Sequence, residues 1–309
     1  MAGFSASDAA LSGFRFLARH PKTIVIWAGV FLVYEVVWGG ASLLFFGDQL
    51  PALRALSNPN ADPNTFWALV PGLALVLLLG LLALLFVFSL MFTAAYRTFL
   101  HPHDDRFGYV RVGKDELRFA VLILLWVVLI LGGSVVVAFF AGLIAALGGL
   151  LPQPLKALWE LVVFLSGMGV YAYVLVRLCF SMPMTLEDRH VRLLESWKAT
   201  RHNFWSLLGV FLLTAILVLV LLLLVCTVLA IALIVAMAAG LPHSSFTEGL
   251  SAVLYTDTTS LAAYFSPTSL IAAVLNAFIV SIGIAILTSP VAEAYLAYTA
   301  QKGETPTVH

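Results

Sequence analysis

Six long apolar runs limit what this chain can fold into more than any other feature of its sequence. They fall within residues 23–46, 67–100, 119–151, 158–182, 204–240 and 268–298. Several exceed the roughly 20 residues that a helix needs to cross the hydrocarbon core of a bilayer. With 62% hydrophobic and 10% charged residues, the chain differs from soluble domains, in which about 25% of residues are charged. The runs predict an all-α, polytopic membrane helical bundle with six transmembrane helices, in a single integral membrane domain of residues 1–309.

The polar segment before the first run, residues 7–20, predicts an amphipathic helix on the membrane surface. Leu11, Phe14 and Leu17 share one face of that helix, and basic residues flank the face. An apolar stripe bordered by basic residues is typical of helices that lie in the plane of the membrane interface.

The longest polar segment, residues 182–209, predicts a second interfacial helix that leads directly into the fifth span. Thr185 is interpreted as its N-cap, and Asp188 completes a capping box three residues later. Basic and aromatic residues of the two surface helices are expected to contact the membrane surface. These residues are Arg15, Arg19, Arg192, Trp197, Lys198 and Arg201.

The distribution of Lys and Arg predicts the orientation of the bundle. With six spans, all of these residues except Arg54 and Lys156 fall on one side of the membrane. Loops rich in Lys and Arg remain in the cytoplasm. The N- and C-termini are therefore both predicted to be cytoplasmic.

A weak internal repeat divides the chain into units of residues 7–100, 106–183 and 185–300. Each unit is a basic amphipathic segment followed by a two-span hairpin, and Arg19-His20 and Arg201-His202 occupy the same junction. Repeats of this kind occur in transporters. Simple duplication of a hairpin, or chance, explains the pattern equally well.

Motifs of soluble enzymes are absent from the sequence, and the polar loops are too short for a separate catalytic domain. The cluster of His and Asp in residues 101–105 has no second pair of ligands at metal-site spacing, so no metal site and no cofactor are predicted. A net charge of zero gives no reason to expect nucleic acid as a partner. Cys179 and Cys226 lie inside apolar runs and are interpreted as small buried hydrophobes.

Glu35 is the acidic residue placed nearest the middle of a predicted span. A charged side chain at that depth is costly, so we expect a neutral carboxyl group that donates a hydrogen bond to Ser134, Ser166 or a tyrosine. Two interpretations remain open. Glu35 either holds helices together or forms a site for a proton or a ligand.

Arg97, Arg177 and Glu293 lie near the cytoplasmic ends of the even-numbered spans, with several tyrosines close to them in sequence. We expect a buried polar cluster in which Arg177 or Arg97 neutralises Glu293. Such a cluster could bind a lipid headgroup or another anion. It could also be a structural ion pair, or two arginines that extend to the interface.

The segment from Ser196-Trp197 to Thr200, continued by Asn203-Phe204-Trp205 and ending at Gly209, resembles a known membrane family. The resemblance is to bacterial six-span membrane proteins and to the membrane-anchor domain that precedes some glycerophosphodiester phosphodiesterases. It covers about thirty residues specifically, and Pro183 fills the family's proline position. It implies a membrane module of the bacterial inner membrane. The phosphodiesterase catalytic domain is absent, so no enzyme activity is implied.

Three functions are compatible with these features. The first is a non-catalytic multi-pass protein that binds or organises membrane lipids or, alternatively, another membrane protein. The second is a transporter or channel that uses Glu35 and the cluster of Arg97, Arg177 and Glu293. The third is an intramembrane enzyme that modifies lipids, which requires at least two of these four side chains in one cleft.

Overall fold

The computed structural model describes residues 5–55, 63–103, 105–238, 248–249, 251 and 255–302. The described residues contain no strand, and six of their helices are long and apolar enough to cross a membrane. The principal helices in chain order are α1 (Ala6–Arg19), α2 (Pro21–Phe46), α3 (Leu50–Ala55), α4 (Pro63–Leu100), α5 (Lys114–Leu147), α6 (Gln153–Leu178), α7 (Ser181–Asp188), α8 (Leu193–Ala199), α9 (Phe204–Ala238), α10 (Leu261–Tyr264) and α11 (Pro267–Lys302). The predicted all-α polytopic bundle is confirmed.

One end of the bundle, here called the basic face, is formed by α1, the loop of residues 101–113, α7, α8 and the C-terminal end of α11. Trp27, near the start of α2, donates a hydrogen bond to the Gly108 carbonyl at 2.8 Å. Tyr295, near the end of α11, donates one to the Glu187 carboxylate of α7. Long-range contacts of this kind fix the loops of the basic face against the spanning helices.

Helices α1, α2, α11 and the C-terminal part of α4, from Val87 onward, form a compact half of the molecule. Its core contains Phe16, Trp27, Met91 and Ala285, all of them buried. Helix α11 contributes buried residues along most of its length, from Ser269 to Thr299. Most of these are small, which allows the neighbouring backbones to approach closely.

Helix α1 is part of the compact half. The prediction of an amphipathic helix at the membrane surface did not include this packing, and the surface position itself stays a prediction. Its buried side consists mainly of small residues, and it packs against α11 and α9. A Cβ atom on Gly13 would lie 2.7 Å from the Ile286 Cα atom, so the two backbones meet there. The predicted apolar face of Leu11, Phe14 and Leu17 is not part of this buried side, and its contact with a membrane stays a prediction.

Helices α5, α6 and α9 form an open half, because each is buried only near the basic face. The buried residues of α5 end at Leu122, and those of α6 begin at Val176. In the described part of α9, no residue beyond Thr214 is buried. The outer parts of these three helices therefore present apolar side chains on most of their surface.

The predicted second surface helix is instead two short helices, α7 and α8. Arg189 adopts a left-handed conformation (φ 56°) directly after α7 and ends it. Thr185 lies inside α7 rather than at its N-cap, and its Oγ1 accepts a hydrogen bond from the Arg192 backbone N–H at 3.1 Å. The capping box with Asp188 was wrong because α7 begins before Thr185, at Ser181, and Asp188 is its last residue.

The loop of residues 101–113 packs on the start of α2. Phe107, Gly108 and Tyr109 have φ values of 53°, 64° and 66°. Left-handed conformations are unfavourable for residues other than glycine, and the Trp27 hydrogen bond is one of the contacts that hold this loop in place. The His and Asp cluster at its start includes Asp104, which lies outside the described residues.

Candidate functional site

An apolar groove of about 720 Å³ lies between α4, α5, α6, α9 and α11. Along α9 its lining residues extend from Leu208 to Leu222, a distance of roughly 21 Å at 1.5 Å per residue. These positions lie within the half of the bundle that is nearer to the basic face. Pro290 of α11 contributes to the wall.

Few polar groups line the groove. Trp126 Nε1 donates to Ser181 Oγ at 3.0 Å, and Thr214 Oγ1 donates to the Val210 carbonyl at 2.8 Å. Tyr96 is different, because its hydroxyl makes no hydrogen bond to any residue that the structure describes, although its side chain is only 3% exposed.

Arg177 lies on α6 beside the groove, inside a cage of three aromatic rings. Its Cζ atom is 5.2 Å from the ring centroid of Tyr173, 5.3 Å from that of Trp197 and 5.9 Å from that of Phe204. Its Nε and Nη2 atoms donate to the Tyr173 hydroxyl at 3.2 and 3.1 Å, and Nη1 donates to the Trp197 carbonyl at 3.4 Å. Cation–π contacts and these hydrogen bonds hold the guanidinium in place without a carboxylate within ion-pair distance in the described chain.

The Ser-Trp-x-x-Thr segment builds this cage. Ser196 Oγ and Thr200 Oγ1 both donate to the Arg177 backbone carbonyl at 3.0 Å, and both side chains are fully buried. The carbonyl lies at the end of α6, where helix carbonyls lack intrahelical partners. The two hydroxyls satisfy this carbonyl and fix Trp197 over the guanidinium.

Arg97 belongs to a different cluster, at the junction of α4 and α5. Its Nη1 atom lies 2.6 Å from Glu116 Oε1, and its Nη2 atom lies 3.4 Å from Asp115 Oδ2. Arg118 also pairs with Asp115, at 2.5 Å. The side chains of Arg97 and Glu116 are 8% and 4% exposed. This is a buried ion pair that connects two helices.

Glu35 lies on the opposite side of the compact half, close to the segment that precedes α11. Thr256 Oγ1 donates to Glu35 Oε1 at 3.2 Å, and Asn276 of α11 supplies a second side-chain hydrogen bond. The Tyr264 hydroxyl donates to the Glu35 backbone carbonyl at 2.6 Å. Burial raises the pKa of Tyr264, and the nearby Glu35 carboxylate raises it further, so the hydroxyl retains the proton that it donates.

The predicted partners of Glu35 were therefore wrong in detail. Ser134 and Ser166 instead donate to carbonyls of their own helices, those of Leu131 and Val162, at 2.7 Å each. A tyrosine is present, as expected, but it bonds to the backbone of Glu35 and not to its carboxyl group.

The four ionisable candidates do not converge on one site. Arg97 and Arg177 have the separate partners given above, and the expected ion pair of either one with Glu293 is wrong. Within the described ranges, Glu293 is half-buried and forms no ion pair or side-chain hydrogen bond. None of Glu35, Arg97, Arg177 and Glu293 lines the groove.

The predicted surface contacts are on the basic face, but their local environments differ. Arg15 lies 3.8 Å from Asp8, and Arg192 Nε lies 2.7 Å from Asp188 Oδ2. Trp197 covers Arg177. Three residues are exposed and have no ion pair to the part of the chain that is described: Arg19, Lys198 and Arg201. Their contact with a membrane stays a prediction.

Sequence reasoning missed the groove and the partners of Arg97. Asp115 and Glu116 begin α5 on the basic face, where α4 ends with Arg97 in its last turn. Because Arg97 and these two acidic residues lie at the same end of neighbouring spans, the sequence could have indicated that they pair. The groove had no such signal, because its lining residues come from several separate helices.

No family model, curated protein or solved structure matches this chain. The resemblance to membrane-anchor domains of glycerophosphodiester phosphodiesterases therefore stays a prediction.

Proposed function

We propose that this multi-pass membrane protein is a non-catalytic lipid-binding protein that holds a phospholipid acyl chain in the groove. The observation that carries the proposal is the groove itself. Its volume of about 720 Å³ lies within the roughly 300–1,000 Å³ range of ligand pockets. Its walls are almost entirely apolar, which suits a hydrocarbon chain and does not suit a polar solute.

The position of the groove favours a lipid that enters from the bilayer. Leu212, Leu219 and Leu222 on the α9 wall are each more than half exposed, so this side is open to the hydrocarbon around the bundle. A phospholipid in the adjacent leaflet can insert one chain without leaving the membrane. No aqueous pathway is required.

The basic face supplies charge for the phosphate group of the same lipid. Arg177 lies on the same helix as groove residues, and its guanidinium has five N–H donors, of which the cage uses three. Lys198 and Arg201 are exposed nearby. Each basic residue near an anionic membrane surface contributes about 1 kcal/mol to the attraction. The proposal therefore favours an anionic phospholipid.

The proposal includes the predicted setting, which is the bacterial inner membrane with both termini in the cytoplasm. The groove would then face the inner leaflet. Membrane lipids are the partners, and another membrane protein remains the alternative. The transporter and enzyme hypotheses receive less support, because the ionisable residues that they require lie in separate places.

A groove-filling substitution tests this function. The protein is purified in a mild detergent, and the mass of any retained lipid is measured by native mass spectrometry. Ala215 lines the groove, whereas Ala230 lies on the same helix outside it. We expect the wild type and Ala230→Trp to retain one anionic phospholipid and Ala215→Trp to lose it. Equal retention by all three proteins, or no retention by the wild type, would contradict the proposal.

A further inference from the structure

Tyr96 has an unused hydrogen-bonding group inside the groove. Its side chain is 3% exposed and lies in a cluster with Phe119, Val176 and Cys179. The hydroxyl has no hydrogen-bond partner among the described residues, whereas Trp126 and Thr214 in the same wall both have one. Tyr96 lines the groove, and a donor without a partner in apolar surroundings is unfavourable, so this hydroxyl is suited to a ligand that brings an acceptor.

The position of Tyr96 along the groove indicates which part of a lipid it would meet. It is four residues from the end of α4, which is roughly 6 Å along the helix axis. The basic face is on that side, and the apolar walls of α9 extend in the other direction. A phospholipid aligned in this way has its phosphate nearest the basic face, its chain along α9 and its ester carbonyls between them.

We propose that the Tyr96 hydroxyl donates a hydrogen bond to an ester carbonyl of the bound phospholipid. This assignment rests on the proposed function and adds a preference within it. The groove selects acyl-ester lipids over ether lipids, because an ether lipid lacks the carbonyl acceptor. Apart from the Cys179 thiol, and from Trp126 and Thr214, whose polar groups already have partners, the other residues that line the groove are apolar.

The test compares two lipids that have the same headgroup and chain length, one with ester and one with ether linkages. Each is titrated into delipidated protein in detergent, and the bound fraction is measured by native mass spectrometry. Tyr96→Phe removes only the hydroxyl. Tyr171→Phe is the matched control, because Tyr171 is also in a spanning helix but does not line the groove.

We expect the wild type and Tyr171→Phe to bind the ester lipid about 3- to 10-fold more tightly than the ether lipid, which corresponds to one neutral hydrogen bond. Tyr96→Phe should lose this preference and retain its affinity for the ether lipid. Equal affinities of the wild type for both lipids, or an unchanged preference in Tyr96→Phe, would overturn the assignment. Either result leaves the proposed function intact, since that function depends on the outcome for Ala215→Trp.

Discussion

The compact half and the open half of this molecule differ in packing, and the difference does not follow their hydropathy. The most apolar 18-residue window of α9 has a mean hydropathy of 3.4, and none of it is buried. The corresponding window of α11 is less apolar, at 2.6, and 39% of it is buried. The more apolar helix is therefore the less packed one.

The difference shows what holds helices together in a bilayer. Lipid tails are as apolar as leucine, so hydrophobicity gives no reason for one spanning helix to bury another. Close contact instead requires small residues, such as the Ala, Ser and Thr residues of α11, and side chains that form specific hydrogen bonds. The outer part of α9 is rich in Leu, Val and Ile, and among the described residues it forms no side-chain hydrogen bond to another helix, so its surface is left to lipid.

The largest expected effect is at the joint between the halves, where Arg97 of α4 pairs with Glu116 of α5. Arg97→Met leaves a buried carboxylate without its main cation, and we expect a loss of about 3–5 kcal/mol in the free energy of unfolding. Unfolding in a fixed detergent, followed by circular dichroism, measures the change. The double variant Arg97→Met/Glu116→Leu should recover most of the loss. A single variant as stable as the wild type would mean that the pair does not join the halves.

Two leucines test the comparison directly. Leu90 in the compact half is 5% exposed, and Leu223 in the open half is 57% exposed. Leu90→Ala should lower the stability by about 2 kcal/mol, because in a bilayer the cavity left behind is the main remaining cost. Leu223→Ala should cost about 0.5 kcal/mol or less. Equal losses in the same unfolding assay would break the distinction between the halves.

Two threonines provide a finer comparison within the open half. Thr200→Val removes a hydroxyl that bonds to the Arg177 carbonyl, whereas Thr227→Val removes one that bonds only within α9 and is exposed. We expect a loss of about 1 kcal/mol for Thr200→Val, which is typical of one buried hydrogen bond, and almost none for Thr227→Val. Trp197 should also become more accessible to an aqueous fluorescence quencher in Thr200→Val. No change in either measurement would remove Thr200 from the cage.

The smallest expected effect is at Glu35. Glu35→Gln keeps an acceptor for Thr256, so its stability should stay within about 0.5 kcal/mol of the wild type. Lipid retention should also be unchanged, because Glu35 lies outside the groove. If the variant loses the lipid as completely as Ala215→Trp is expected to, a residue outside the groove takes part in lipid binding, and the assignment of binding to the groove alone is wrong.

The sequence was sufficient for the six spans, because the length of an apolar run is a local property. It was not sufficient for α7 and α8, where the left-handed Arg189 splits one expected helix into two. The Ser196 and Thr200 hydroxyls give a structural role to two residues of the Ser-Trp-x-x-Thr segment. From the sequence, this segment could be described only by its resemblance to a family. The shared acceptor of the two hydroxyls is the Arg177 carbonyl, 19 and 23 residues earlier in the chain.

The candidate site was less predictable, because its contacts connect distant parts of the chain. Glu35 and Thr256 are 221 positions apart, and nothing in the spacing of either residue indicates the other. The groove depends on how residues of several helices pack together, which apolar composition does not determine. Tyr96 could be named as a tyrosine near Arg97, but its free hydroxyl is visible only once the surrounding helices are in place.

The close approach of Gly13 to Ile286 has a consequence for the biogenesis of this protein. Among the described helices, α1 is synthesised before the six spans, whereas α11, against which it packs, is synthesised after the other five. During translation α1 therefore lacks the α11 surface. A nascent chain halted before residue 267 would contain the α9 contacts of α1 without those of α11, so the compact half is completed only when α11 has been made.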